Sequence, residues 1–261
     1  MSIIRSPAVA GTFYPANSAK LQRMVTDFLS HAKSEPIPVK AIIAPHAGYI
    51  YSGPVAASAY ARLASQAASI KRVVLIGPSH RVGFRGLAAP NASIFETPLG
   101  GVDIDSDAID RLLDLSWVMR SDHSHLQEHS LEVHLPFLQT ILHEFKLVPL
   151  LVGDATPQQV AEVIERLWGG PETLIVISSD LSHYLDYETA SSIDAKTSKA
   201  IEELKGEAID FDQACGRIPV QGLLRIAQKR GLQCKTVDLR NSGDTAGPRD
   251  HVVGYGAYVF N

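Results

Sequence analysis

The chain has 261 residues, of which 45% are apolar and 20% are charged, and its formal net charge is -4 at pH 7. This composition is typical of a globular protein that is long enough to bury a core without staples. A small negative charge without a basic stripe argues against nucleic acid or an anionic membrane as the main partner. No apolar run approaches the ~18 residues of a membrane span. With two cysteines and no signal-peptide pattern, we expect a reduced, cytoplasmic protein.

The predicted elements alternate between helices and buried strands. After an N-terminal arm (1–17) they are helix 19–32, strand 39–44, helix 54–66, strand 72–76, short strands 86–89 and 93–95, a helix from 105 or 106 to 115, helix 130–145, strand 146–152, helix 157–168, strand 173–177, helices 188–204, 207–215 and 219–230, and strands 232–239 and 252–260. Such alternation predicts an α/β fold with a mainly parallel or mixed central sheet and helices on both faces. No repeat or clean linker divides the chain, so we expect one domain over residues 1–261.

Histidines and carboxylates follow the ends of several predicted strands. His46 follows AIIAP, His80 follows VVLIGPS, Asp180 and His183 follow LIVIS, and Asp244 follows VDLRNSG. Because the carboxyl ends of parallel strands meet at one sheet edge, we expect these groups to lie close together. Two histidines and a carboxylate form the facial triad of non-haem Fe(II) sites, and a further histidine is then free as an acid or base. The alternative for each histidine is a loop residue bonded to backbone.

A second polar cluster, EHSLEVH, opens the predicted helix 130–145. It is not the HExxH zinc motif, because its glutamate is in the wrong position. His129 and His134 are candidates for groups at the rim of the same pocket. The alternative is a capped, solvated helix start with both histidines outward.

Three further side chains are candidates for the substrate pocket. Tyr49 and Tyr51 follow His46 and can shape the pocket wall, and Arg217 lies in the turn CGRIP between two predicted helices. Arg217 can bind a carboxylate or phosphate, although a structural ion pair is the simpler interpretation. The chain has no GxGxxG, no phosphate-binding P-loop and no GxSxG elbow, so nucleotide binding and α/β-hydrolase chemistry lack their usual signals.

Ordered motifs over essentially the whole chain resemble the Memo family. They are GTFYPAN, APHAGYIYSG, IGPSH, EHSLEVHLPFL, LVGD, SSDLSHY, CGRIP and VGYGAYVF. Bacterial and archaeal members of this family are known as protein B of the AmmeMemoRadiSam system. The family is similar in fold to class III extradiol (LigB-like) dioxygenases, which use Fe(II) to open catechol rings. The resemblance implies that His46 and His80 bind the metal, that His183 is an acid or base, and that His129 and His134 lie near the pocket.

The resemblance does not supply the third metal ligand. The dioxygenases have a glutamate and animal Memo a cysteine, whereas the corresponding stretch here, residues 241–245, contains neither. We select Asp244 because a carboxylate completes a facial triad. The alternative is a site with only two histidines that holds metal weakly.

Two functions from different classes follow. The first is an Fe(II)-dependent, dioxygenase-like or redox enzyme that takes a small aromatic ligand, in which His183 moves a proton and Asp180 orients it. Copper or zinc is an alternative metal. The second is a non-catalytic adaptor, because animal Memo is regarded as a protein that binds phosphotyrosine peptides. The resemblance also implies AMMECR1-like and radical-SAM partners. A zinc or two-metal hydrolase would need Asp180 and Glu128 as ligands and is less favoured.

Overall fold

The computed structural model describes residues 3–33 and 37–261, so the first two residues of the predicted arm and residues 34–36 lie outside the described part. The α-helices are α1 (Ser18–His31), α2 (Tyr49–Tyr60), α3 (Ser106–Asp110), α4 (Asp122–Leu126), α5 (Leu135–Ile141), α6 (Pro157–Leu167), α7 (Tyr187–Glu202) and α8 (Arg217–Arg230). The strands are β1 (Ile4–Arg5), β2 (Ala41–Ala44), β3 (Arg72–Pro78), β4 (Leu87–Ala89), β5 (Ile94–Thr97), β6 (Gly100–Asp103), β7 (Val118–Arg120), β8 (Lys146–Val152), β9 (Thr173–Ser178), β10 (His183–Leu185), β11 (Cys234–Asn241) and β12 (Val252–Phe260). Short 3₁₀ helices cover Ala61–Gln66, Glu132–His134, Gly206–Ala208, Phe211–Gln213 and Ser242–Asp244.

A mixed sheet forms the centre of the molecule. Its strand order is β10-β12-β2-β9-β3-β8-β4-β7, and β11 pairs with β12. The four central strands β2, β9, β3 and β8 are mutually parallel, whereas β12 and β4 flank them in the antiparallel direction. A smaller sheet has the order β1-β5-β6. The structure confirms the predicted α/β class with a mixed central sheet.

Helices cover both faces of the large sheet. The chain passes from β2 through α2 to β3 in one direction along the sheet, and from β8 through α6 to β9 in the other. Since such crossovers are right-handed, the two helices lie on opposite faces. Helices α1 and α5 pack on α2, and α8 packs on α6 and on strands β3 and β9. Among the described residues, no helix combines the length and apolar character needed to cross a bilayer.

Four predicted helices differ from the structure because local patterns hide their boundaries. Helix α2 begins at Tyr49 rather than at residue 54, and Pro54 lies inside it. Segment 130–145 is not continuous helix: a 3₁₀ turn precedes α5, and Pro136 occupies the first turn of α5, where its missing N–H costs nothing. Segment 207–215 contains two 3₁₀ turns instead of one helix. The helix predicted from residue 105 or 106 to residue 115 ends at Asp110, and residues 111–114 form a turn.

Candidate metal centre

Three neighbouring parallel strands bring polar residues to the carboxyl edge of the large sheet. His46, Asp180 and His80 each lie two residues beyond the ends of β2, β9 and β3, which are adjacent in that order. Ala44 pairs with Ser178 in the parallel ladder, so β2 and β9 end at the same level. The carboxyl edge therefore places a histidine on each side of the central strand that carries Asp180.

The hydrogen bonds of His46 determine which ring nitrogen is free. Its Nδ1 lies 2.6 Å from Ser178 Oγ, and that hydroxyl donates its proton to the Ser130 carbonyl at 2.6 Å. The hydroxyl must then accept from Nδ1–H, so the lone pair of the neutral ring is on Nε2. Burial, followed by the nearby rings of His80 and His129, holds the pKa of His46 well below its ordinary value. His46 is therefore a neutral donor at neutral pH.

A buried glutamate orients His80 in the same way. Glu128 Oε1 lies 3.0 Å from His80 Nδ1, and Glu128 Oε2 accepts the His80 backbone N–H at 2.5 Å. Oε1 also accepts the backbone N–H groups of His129 and Ser130. Burial would raise the pKa of Glu128, but the close approach of the His129 and His80 ring nitrogens to its carboxylate holds that pKa well below its usual range. The ionised carboxylate fixes the His80 proton on Nδ1, so its Nε2 is the available donor.

Cys215 supplies the third donor atom at this edge. Its Sγ lies 3.4 Å from His46 Nε2 and accepts the Asp180 backbone N–H at 3.3 Å. The turn that carries it can approach β9 because residue 216 is glycine: a Cβ there would lie 2.5 Å from the Ser178 carbonyl oxygen. Burial, and then the charge of Asp180, raise the pKa of the Cys215 thiol. Binding of a metal ion at this sulfur would therefore release a proton.

His46, His80 and Cys215 form a donor set that fits one transition-metal ion. One ligand atom from each lies within 4.8 Å of the other two. Two imidazoles and a thiolate suit zinc, copper and iron rather than the hard cations magnesium and calcium. A second group with the same spacing consists of His80, Glu128 and His129, but the Glu128 oxygens there already accept four hydrogen bonds. The first group is therefore the better candidate for a metal site.

Further titratable groups surround the three donors. The His129 ring stacks on that of His80 with centroids 4.8 Å apart, and its Nδ1 lies 3.2 Å from Glu128 Oε1 without hydrogen-bond geometry. His183 Nδ1 lies 2.8 Å from the Leu181 carbonyl, to which it must donate, so its Nε2 can accept a proton. Asp180 Oδ1 accepts the His46 N–H at 2.8 Å, and burial raises the pKa of this carboxyl.

A cavity of about 570 Å³ opens onto these groups, and we call it the histidine cavity. It combines polar groups near the donors with aromatic and cationic side chains. Its lining residues are Phe13, His46, Ala47, Gly48, Tyr51, His80, Arg81, His129, Asp180, His183, Tyr184, Ser242, Gly247, Pro248, His251, Val253 and Tyr255. The volume is within the range of small-molecule sites. Of the candidates from the sequence, the cavity brings together His46, His80, His129, Asp180, His183 and Tyr51.

The structure does not bring Asp244 to the histidines, so its choice as third ligand is corrected. Its Oδ1 accepts the Tyr187 hydroxyl at 2.6 Å and its Oδ2 accepts the Asn241 N–H at 3.0 Å. The carboxylate completes the cap of a 3₁₀ turn, and Asp244 does not line the histidine cavity. The third candidate donor is instead Cys215, in the turn CGRIP, from which we selected only Arg217 as a candidate.

Three other candidates also lie outside the cavity lining. Tyr49 is buried, and its hydroxyl donates to the Val133 carbonyl at 2.6 Å. His134 is buried with Nδ1 2.8 Å from the Tyr60 hydroxyl, and burial lowers its pKa to about 3. The Arg217 guanidinium lies over the Phe211 ring at 5.8 Å. Core packing or a surface contact occupies each of these side chains.

Sequence reasoning missed Cys215, Glu128 as the group that orients His80, and the rim residues Arg81 and Tyr184. The available signal for Cys215 was its position as one of two cysteines, directly before a helix start. No local pattern joins it to His46, which lies 169 residues away along the chain. Only the packing of α8 against β9 makes these two residues neighbours.

Comparisons with known proteins cover most or nearly all of the chain. Residues 5–259 match the family described as Memo-like protein. A "MEMO1 family protein" of Ignicoccus hospitalis is 38% identical over 285 residues, which cover 99% of each chain. Another from Aquifex aeolicus is 36% identical over 272 residues, covering 98% of this chain and 99% of that one. The crystal structure of an uncharacterized protein from Escherichia coli K12 matches with a TM-score of 0.54 at 12% identity, over 83% of this chain and 99% of its own, which shows the fold alone.

Proposed function

The chain belongs to the Memo family, and we propose that it is a redox protein, a dioxygenase-like enzyme, that uses one metal ion held by His46, His80 and Cys215. The observation that carries the proposal is the arrangement of these three side chains. Each histidine has its Nδ1 engaged by a protein group, and each therefore offers Nε2 beside the cavity. Metal-binding histidines are typically oriented by such partners.

The chemistry of the donors bears on the identity of the metal. We propose Fe(II), with copper or zinc as the alternatives. A thiolate in place of the expected carboxylate makes the donor set chemically softer. Copper and zinc therefore compete more strongly with Fe(II) for the site. When bound, a redox-active metal supplies electron transfer and activates a chelating substrate at its open positions.

The remaining side chains perform proton transfer and positioning. His183 can receive a proton from a substrate hydroxyl at Nε2, because Nδ1 is committed to the Leu181 carbonyl. Asp180 accepts the His46 backbone N–H at 2.8 Å and so positions this histidine, and burial raises the pKa of the Asp180 carboxyl. His129 closes one side of the histidine cavity between His80 and Phe13, with ring centroids 4.8 and 4.7 Å away.

The walls of the histidine cavity suit a small aromatic substrate. Phe13, Tyr51 and Tyr255 line it together with the polar groups near the donors. A flat apolar body can pack on these rings, which commonly adopt offset or edge-to-face arrangements. A polar, chelating end would then lie toward His46 and His80.

Metal content after anaerobic Fe(II) loading tests the proposal, with oxygen uptake followed on a small panel of catechols. We expect near-stoichiometric iron in the wild type and affinity more than about 100-fold weaker in His46→Ala and Cys215→Ser, since loss of an outer partner alone costs 10–100-fold. Asp244→Ala is the matched control and should retain iron. Retention of full affinity in Cys215→Ser would exclude the sulfur as a ligand, and an iron-free wild type would reject the proposal.

A second candidate, an adaptor that binds a peptide or metal without turnover, is favoured by the rim of the histidine cavity. Tyr184 is 73% exposed there and adopts a left-handed φ of 59°, a costly conformation that is often kept at functional sites. Arg81 and His251 add exposed basic groups beside it. Anisotropy with labelled tyrosine-phosphorylated peptides tests this function: binding that Tyr184→Ala abolishes, without oxygen uptake in any variant, would favour the adaptor. AMMECR1-like and radical-SAM proteins are the partners we propose for either function.

A further inference from the structure

A buried carboxyl group that the proposed function does not use lies behind the loop of His183. Asp194, in the middle of α7, is only 3% exposed. Helix α7 packs on β11 and β12, and the carboxyl group lies against Gly254 of β12, where a Cβ would come within 1.9 Å of Asp194 Oδ2. Burial raises the pKa of Asp194. A carboxyl group at this place therefore costs free energy that an apolar side chain would not.

Asp194 binds one end of a single peptide group, and His183 binds the other end. Asp194 Oδ1 accepts the Ser182 N–H at 3.0 Å, and His183 Nδ1 donates to the Leu181 carbonyl at 2.8 Å. The Leu181 carbonyl and the Ser182 N–H belong to the same planar peptide group. Two hydrogen bonds therefore connect the carboxyl group to the imidazole through this peptide.

The peptide groups on either side of this one are held by β12. The Leu181 N–H donates to the Gly254 carbonyl at 2.8 Å, and the Gly254 N–H donates to the Ser182 carbonyl at 2.8 Å. These bonds anchor the two flanking peptide groups and leave the central one to Asp194. Ser182 is fully buried, so loss of the carboxyl group would leave its N–H without an acceptor.

A bulge in β10 follows the central peptide group and interrupts the ladder beside His183. The pairing with β12 shifts register between His183 and Leu185, so Tyr184 is an extra residue, and its φ is 59°. Bulges next to active sites commonly redirect a side chain. Because the ladder is irregular here, strand pairing by itself does not fix the His183 ring. The hydrogen bond to the Leu181 carbonyl is what holds this ring in the lining of the histidine cavity.

We propose that Asp194 is a positioning residue for His183 and that it acts through the peptide group between Leu181 and Ser182. The carboxyl group fixes the orientation of this peptide. A hydrogen bond to the N–H also polarises the carbonyl at the other end, which then accepts the His183 Nδ1 proton more strongly. The ring is thereby kept in the tautomer whose Nε2 can take a proton. The role of His183 as an acid or base rests on the proposed function, whereas the tautomer is a property of the metal-free chain.

NMR of nitrogen-labelled histidine rings tests this inference in the chelator-treated full chain. The ring nitrogen shifts distinguish the two tautomers in alkaline solution, where imidazoles are neutral, and a His183→Gln spectrum identifies the signals of His183. We expect the wild type to hold the proton on Nδ1. Asp194→Ala should lower the ratio of the two tautomers about tenfold, which is close to what one ordinary hydrogen bond supports. Asp194→Asn keeps an acceptor for the Ser182 N–H and should retain most of the wild-type ratio.

Asp186→Ala is the matched control. Asp186 caps the same helix by accepting the Thr189 N–H at 3.0 Å, and it is exposed to solvent. Its loss should weaken α7 without changing the tautomer of His183. An unchanged ratio in Asp194→Ala, an equal change in Asp186→Ala, or a wild-type ring with its proton on Nε2 would overturn the inference. Asp194→Ser, whose side chain is too short to reach the Ser182 N–H, replaces Asp194→Ala if that variant does not fold.

The iron-loaded protein gives a second readout. Asp194→Ala should bind iron like the wild type and lower the kcat of oxygen uptake at least about tenfold with KM unchanged, because the substrate still binds while its proton acceptor is misaligned. Loss of iron in this variant would indicate a general structural role and count against positioning. Because the tautomer is measured without metal, a failure of the iron-loading experiment in the wild type would reject the proposed function and leave the NMR result intact.

Discussion

The two edges of the large sheet each carry a cavity, and the larger one is at the amino edge. That cavity measures about 830 Å³, compared with about 570 Å³ for the histidine cavity at the carboxyl edge. Most of its charged residues, such as Lys71 and Lys146 at the strand starts, are accessible to solvent, and the buried Asp105 pairs with Arg72 at 2.7 Å. At the carboxyl edge, His46 and Asp180 are instead almost fully buried.

This difference shows that burial of titratable groups identifies the candidate site better than cavity size. Solvated charges cost a protein little, and their pairs contribute little to stability. A buried imidazole or carboxyl group must be compensated by hydrogen bonds, as Glu128 is by four donors. Perturbed groups of this kind cluster at functional sites, which is why we assign function to the smaller cavity.

The largest expected effect is on the free energy of unfolding, from a buried ion pair behind the carboxyl edge. Glu132 accepts hydrogen bonds from Arg5, from the Tyr14 hydroxyl and from two backbone N–H groups of the N-terminal arm. Glu132→Gln leaves the Arg5 charge buried and uncompensated, so we expect a loss of about 3–5 kcal/mol. Asp110→Asn, which breaks the exposed pair with Arg120, should cost at most about 1 kcal/mol. Urea denaturation at neutral pH measures both, and equal losses would contradict the prediction.

A smaller effect is expected on metal affinity when the orientation of His80 is released. Glu128→Gln removes the charge that holds Nδ1–H of His80, and outer partners of this kind are worth about 10–100-fold in affinity. Glu144→Gln, an exposed change at the amino-edge cavity, is the control and should have no effect. Competition with a chromophoric chelator measures the affinity, and identical values for the two variants would show that Glu128 does not act on the metal site.

The smallest expected effect is on the free energy of unfolding. It comes from Asp105 at the amino edge and depends on pH. Burial would raise the pKa of Asp105, but its hydrogen bonds with Arg72 and the Ala108 N–H lower this pKa below the ordinary value of 3.8. A lowered folded-state pKa means that the stabilisation is present above pH 3.8 and is lost as the pH falls below it. Asp105→Asn keeps an acceptor for the Ala108 N–H but removes the charge that pairs with Arg72, so it should cost at most about 1 kcal/mol at pH 6 and less at pH 3. Urea denaturation midpoints of the variant and the wild type at both pH values test this prediction. The metal affinity should be the same in both proteins.

The sequence predicted the parts of this protein that follow from regular patterns. Apolar, β-branched runs marked the central strands, and the ends of those strands located His46, His80, Asp180 and His183. The sequence did not predict the elements that are short or irregular. The 3₁₀ turns around Glu132 and Phe211 have no periodicity that distinguishes them from helix, and the strands β1, β6, β7 and β10 are only two to four residues long.

The sequence by itself determined the family and the α/β class, and it brought the strand-end histidines to one sheet edge, because parallel strands must end on the same side. Only the tertiary structure decided the third donor. Cys215 reaches His46 through the packing of a helix start on a central strand, and Asp244 turns away because Tyr187 and a backbone N–H occupy its oxygens. Such choices depend on side-chain direction and on contacts between distant segments, which local sequence patterns do not encode.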